Sequence, residues 1–203
     1  MATRRQLAEQ VIRLVKGFKP THDRNIDIRE VMLAIDQARD AALVRWMYQN
    51  QNAEGQGYVA GDFVNAYTDF VLYDDVRKKH YIELRYEVFS LPHDIGVYHI
   101  SLVESENKAF TPIRNGYYAL FDGMSSLNAQ ETSFFVENNK VYFIGKIETG
   151  CHLLIKMIAM SGSIPDDGEY AIPTGLQFDI LSQVAQLYGV RVPRDEKNDD
   201  IDV

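Results

Sequence analysis

Cys151 and His152 are the first residues in this sequence whose types could do chemistry, a thiol beside an imidazole. They are neighbours in a stretch that reads as a strand. Adjacent strand residues point to opposite faces, so the pair is not set to share a proton. Glu104 and Glu106 are spaced to face the same way and resemble paired acids. They fall at a strand end with Lys108 nearby, where a solvated turn is the expected setting. His93-Asp94 and His99 could meet at a strand end around a metal. The remaining histidines, His22, His80 and His152, are scattered, and no two histidines lie one helical turn apart on a helix. Ser125-Ser126 after Gly123 lacks the Gly-x-Ser-x-Gly elbow of a serine hydrolase. Gly55, Gly57 and Gly61 are spaced one residue too wide for a dinucleotide fingerprint; no phosphate-binding lysine follows, and the stretch comes after a helix. None of these patterns requires a joint role. The expectation is a protein that is not an enzyme, with no cofactor and no metal.

The elements that must position these residues come in blocks. Thr3 and Gln6 have the spacing of a capping box, and Leu7, Val11, Leu14 and Val15 fall on one face, which predicts a helix over 3–16 stopped by Gly17. Asp27, with Glu30 three residues on, caps a second helix. Ile28, Val31, Met32, Ile35, Ala38, Ala42 and Trp46 form its stripe, to about Tyr48. Asn50–Gly61 reads as a glycine loop. Short apolar runs then predict strands at 67–73, 80–86, 96–104, 134–137, 140–145 and 152–160. Glu137-Asn138-Asn139-Lys140 is the clearest hairpin turn, because asparagine tolerates positive φ. Pro173 and Thr174 open a last helix with Leu176, Ile180, Leu181, Val184 and Leu187 in its stripe, ended by Gly189.

Helices, then strands, then a helix argue for an α+β fold rather than alternating βαβ units. The expected architecture is an N-terminal helical hairpin (1–49), an antiparallel β-rich middle (62–160), a C-terminal amphipathic helix (173–188) and a disordered acidic tail (194–203). No Pro/Gly/Ser linker separates domains, so 1–193 is expected as one α+β domain.

The whole chain carries a formal net charge of -8 and is 46 % hydrophobic, with twelve tyrosines and ten phenylalanines. A net acidic chain is unsuited to gripping nucleic acid. One cysteine excludes an intrachain disulfide. Residues 1–16 are basic and amphipathic, without the apolar core of a signal peptide, and no segment approaches the ~20 apolar residues of a membrane helix. Folding in a reducing cytoplasm is the expectation. The first residues are basic, with Arg4 and Arg5 leading, and the last are acidic, including Asp199 and Asp200. That opposition suits head-to-tail contact between copies. Trp46, Tyr58, Tyr117 and Tyr118 are the aromatic candidates for interface anchors.

Five segments in order resemble virion structural proteins of tailed bacteriophages, particularly crAss-like phages. They are Asp27–Asp40, Leu91-Pro92 with Gly96-Val97, Asn115-Gly116-Tyr117, Tyr142-Phe143, and Ile172-Pro173 with the helix after it. The resemblance runs from about Arg4 to about Tyr188. It implies a head-to-tail connector, a neck ring below the portal vertex that joins the DNA-filled head to the tail. A homo-oligomer in contact with portal and other neck or tail proteins is implied with it, in the virion. Packing positions are all it carries over. A net-negative lumen would let DNA pass without sticking. A small-ligand or carbohydrate-binding β module, suggested by Trp46 and the tyrosines, is the alternative, as is another tail-associated structural protein.

Overall fold

The structure is a computed structural model that describes residues 2–18, 26–54, 61–91, 96–114, 117 and 132–190. The expected acidic tail lies outside the described residues. The chain falls into two compact units that do not follow its order. One comprises Met1–Tyr58, Asp166–Gly168 and Ile172–Val203, and the other Val59–Pro165 and Glu169–Ala171. The α+β class stands as read, with helices at both ends and a β-rich middle.

The helical unit holds α1 (Arg4–Phe18), α2 (Ile28–Glu54) and α3 (Thr174–Leu187). Helix α1 starts at the anticipated capping box. Thr3 N–H donates to Gln6 Oε1 at 3.0 Å, and Gln6 N–H donates to Thr3 Oγ1 at 3.2 Å. Asp27 Oδ1 accepts from Arg29 N–H at 2.9 Å and so caps α2. Helix α3 closes at Gly189 (φ 77°), where Val190 N–H donates to Ala185 O and Gly189 N–H to Gln186 O. This is a Schellman stop, with Val190 buried beneath it. Helix α2 runs to Glu54, into the stretch expected as the glycine loop. Gln51 to Glu54 contain no breaker, and the first one is Gly55.

Leu7, Ala8 and Val11 of α1, Val31, Ile35 and Leu43 of α2, and Val184 and Ala185 of α3 are all fully or nearly fully buried. Two charges on α2 are buried with them, Asp36 and Arg39. Arg4, in the first turn of α1, pairs with Asp36 and also reaches Asp166 Oδ1 at 3.1 Å. Arg39 Nη1 lies 3.3 Å from Asp40 Oδ1.

The β-rich unit contains two sheets. The smaller has the order β1 (Asn65–Phe70), β8 (His152–Met157), β4 (Val97–Leu102), all antiparallel. Leu153, Ile155 and Met157 of the central strand are fully buried. The larger has the order β2 (Leu72–Asp74), β3 (Lys79–Glu83), β7 (Lys140–Ile144), β6 (Ser133–Glu137), β5 (Thr111–Pro112). Its β6–β7 turn is the expected one, with Asn138 and Asn139 at φ 52° and 60°, a type I′ pair. An antiparallel unit was anticipated, yet β5 pairs with β6 in parallel, Thr111 opposite Ser133. So short a pair has no periodicity to read.

The run expected as one strand over 67–73 is two, divided at Val71 and assigned to different sheets. Val71 N–H donates to Cys151 O at 3.1 Å and its carbonyl accepts from Gly150 N–H at 2.8 Å. Strand β3 stops at Glu83, short of Tyr86, because Leu84 N–H turns to Asn139 O and Arg85 N–H to Tyr67 Oη. Strand β4 ends at Leu102 in a 3-10 turn over Val103–Ser105. Strand β8 ends at Met157, after which Ile158 and Met160 bond back to Gly96 and Glu87.

Two outcomes follow in equilibrium urea unfolding. Arg4→Ala takes the Arg4 cation away from the buried Asp36 carboxylate and from Asp166 and is expected to cost about 2 kcal/mol, against under about 0.5 kcal/mol for Arg5→Ala on the exposed face. Tyr67→Phe removes the acceptor for Arg85 N–H and is expected to cost about 1–3 kcal/mol. Burial pushes the Tyr67 hydroxyl up to about 12, so ultraviolet titration should lose one high-pH tyrosinate step in that variant.

Candidate interaction surface

Each residue that could do chemistry has a place. His152 opens β8 exposed, its ring against Phe70 with centroids 4.1 Å apart, while Cys151 before it is half-buried. Glu104 sits in the 3-10 turn after β4 and Glu106 just beyond it, both exposed. His80 lies edge-on to Tyr73 at 5.1 Å. Among the described residues, no group of three or more His, Cys, Asp or Glu side chains could hold a metal ion. His22, His93, Asp94, Gly55, Gly57, Ser125 and Ser126 lie outside the described residues.

One contact was not anticipated. His99 Nε2 lies 3.1 Å from Ser101 Oγ, both on β4. The motif is two residues long and shows no sequence signature. Ser101 is fully buried, so its hydroxyl faces no space a substrate could enter. Burial holds the imidazole below its ordinary range. The Lys156 ammonium, on the residue paired with His99 across β8, adds to this, and Glu106 opposes it.

The interface candidates separate. Arg4 is committed to Asp36 and Asp166, which removes it from the free basic start that head-to-tail contact called for. Arg5 is exposed, with Glu9 at 3.9 Å. Tyr117 is 57 % exposed. Trp46 is half-buried in a groove between α2 and α3, lined also by Ala42, Arg45, Leu176 and Ile180. Tyr58, Tyr118, Asp199 and Asp200 lie outside the described residues.

The surface that stands out was read in sequence as strand for Phe70, Leu72 and Tyr73, and Val76 was not singled out. Phe70, at the end of β1, Leu72 and Tyr73 on β2, and Val76 in the β2–β3 turn are all exposed, Val76 by 92 %. Among the described residues, strand β2 is an edge of its sheet, so one side of its backbone pairs with no described strand. Leu72 and Tyr73 point to opposite faces of that edge. The turn beneath is firmly built. Asp74 Oδ1 accepts from Val76 and Arg77 N–H at 2.9 and 3.1 Å, and the Arg77 amide chiefly holds the Asp74 carboxyl below its ordinary range. Arg77 pairs with Glu137 and lies over the Tyr142 ring at 4.8 Å, while Lys140 pairs with Glu83 at 3.0 Å. The available signal was the valine inside Asp74-Asp75-Val76-Arg77-Lys78, a turn otherwise made of charges.

His99 gives a pH test. Its folded pKa is depressed, so folded protein favours the neutral ring. Stability is then fully present above the unfolded value of about 6.5 and is lost as pH falls from there toward the folded value. Melting curves between pH 7 and pH 5 should show a steeper loss for the native chain than for His99→Asn, with the two converging at neutral pH in slope.

No protein-family model matches the chain, and a search of curated proteins finds no match either.

Proposed function

We propose that the chain is a virion structural subunit, one copy of a ring at the portal vertex or neck that joins a phage head to its tail. The observation that carries this reading is the apolar edge formed by Phe70, Leu72, Tyr73 and Val76. Exposed apolar side chains on and beside the β2–β3 hairpin, at a strand that is an edge of its sheet among the described residues, suit burial against another chain. The ordered resemblance to virion proteins of tailed phages gives that contact its setting. The partners on this reading are further copies of the chain, the portal and other neck or tail proteins. A net charge of -8 suits a lumen through which DNA slides without being held. The subunit would be made in the host cytoplasm and end in the virion, and its work is contact rather than catalysis.

The alternative of a small-ligand or carbohydrate-binding module has less support. The groove at Trp46 has a volume of about 80 Å³, well below the ~300–1,000 Å³ of ligand pockets.

The test places a charge on the edge. Leu72→Asp with Val76→Asp should leave the monomer folded, since both side chains are already exposed. Incubated with portal-bearing heads and viewed by cryo-electron microscopy, the native chain is expected as a ring at the vertex. The double variant should lose at least tenfold occupancy. Native chain found as scattered surface copies, or absent from the particle, would overturn the reading.

A further inference from the structure

The β2–β3 hairpin ends in a small apolar knob. Val76 is almost wholly exposed, in a turn over residues 75–78. Asp74 holds two amides of that turn, and Arg77 is turned away to Glu137 and the Tyr142 ring. The charges that flank the valine are then Asp75 on one side and Lys78 on the other, both exposed.

The helical unit carries a small apolar hole. Ala42, Trp46, Leu176 and Ile180 line the groove between α2 and α3, whose volume is about 80 Å³. An apolar cavity of about 150 Å³ takes benzene, with its six carbons. A groove of half that size suits the three carbons of an isopropyl group. Arg45 stands on the α2 wall and Asp179 on the α3 wall, both exposed.

Knob and groove match in size, polarity and charge. With Val76 on the apolar lining, Asp75 can face Arg45 while Lys78 faces Asp179. The spans agree too. The ends of a four-residue turn lie within about 7 Å of each other, and packed helices have axes about 8–10 Å apart. The reverse orientation would set acid against acid and base against base, so the charges admit one way of docking.

We propose that Val76 of one copy seats in the α2–α3 groove of the next copy. This rests on the ring reading above and names the partner surface for the apolar edge. Knob and groove are different patches of the same chain, so the contact is heterologous, the kind from which rings are closed. An aliphatic anchor filling a pocket, with a charged rim around it, is also how a small contact gains strength and register.

The test uses portal-bearing heads and full-length chains in which Cys151→Ser removes the native thiol. One chain carries Val76→Cys and another carries Gln183→Cys, on the α3 wall of the groove. Mild oxidation of a mixed ring is expected to link the two different chains, at least tenfold more than either chain links to itself. The charges give an independent readout. Asp75→Arg or Arg45→Asp alone should lower ring occupancy at least tenfold. Both in one chain should return it to within about twofold of native, because each reversed knob then meets a reversed groove. All four substituted positions are exposed, and circular dichroism checks that the fold is kept. A ring that forms without the link, or one indifferent to both reversals, overturns this contact and leaves the ring standing. No ring from the native chain overturns both. A link formed inside single chains carrying both cysteines, at concentrations where no ring assembles, gives the groove to its own knob and overturns the contact between copies.

Discussion

The helical unit rests on one guanidinium. Arg4 sits in the first turn of α1, where the helix dipole disfavours a cation. It is held there by two carboxylates, Asp36 on α2 and Asp166 from a segment far along the chain. Asp36 is buried, and a buried carboxylate without a partner costs several kcal/mol. The Arg4 fork therefore ties the first turn of α1 to α2 through Asp36 and to the 166–168 segment through Asp166. Arg5 N–H donates to the Asp166 carbonyl at 3.2 Å and doubles the tie to residues 166–168. A hydrophobic stripe alone would let the two helices slide by a turn; the ion pair admits one register.

The β-rich unit is organised by hydrogen bonds of the main chain more than by side chains. Val71 is the point where the chain leaves one sheet for the other, and both its peptide groups bond to the Gly150–Cys151 turn. Gly150 adopts φ 84°, a conformation glycine reaches without strain. With Val71 pinned, β2 becomes an edge, and the exposed residues on it follow from that position rather than from a separate choice.

Much of this was legible in the residues. Periodic helices with named caps read correctly, because Thr3, Gln6, Asp27 and Gly189 act locally and leave a fixed spacing. The Asn138-Asn139 turn read correctly for the same reason. What failed were ends and partners. The break at Val71 leaves no mark within Phe70-Val71-Leu72-Tyr73, because its cause lies at Gly150 and Cys151, far along the chain. Asp36 and Arg39 occupy buried positions that a polar–apolar pattern assigns to solvent, and the pairing of Asp36 with Arg4 depends on how two helices meet in space. For the interaction surface, the aromatic residues were noticed, yet the exposed group at Phe70, Leu72, Tyr73 and Val76 depends on sheet order, which single-strand patterns do not carry.

The discontinuity of the helical unit bears on how the chain comes off the ribosome. Helices α1 and α2 are made early, but α3 and the Asp166 partner of Arg4 arrive only after the entire β-rich stretch. Until then α1 and α2 have apolar faces without α3, and Arg4 has half its acids. The β6–β7 hairpin closes over two residues and can form at once, whereas β1 must wait for β8. Assembly order is thus written into the chain's connectivity: local hairpins first, the three-stranded sheet once β8 is complete, and the helical unit last. A nascent copy stalled before α3 would leave the apolar faces of α1 and α2 without their third helix, and completion of that helix is what lets the unit close.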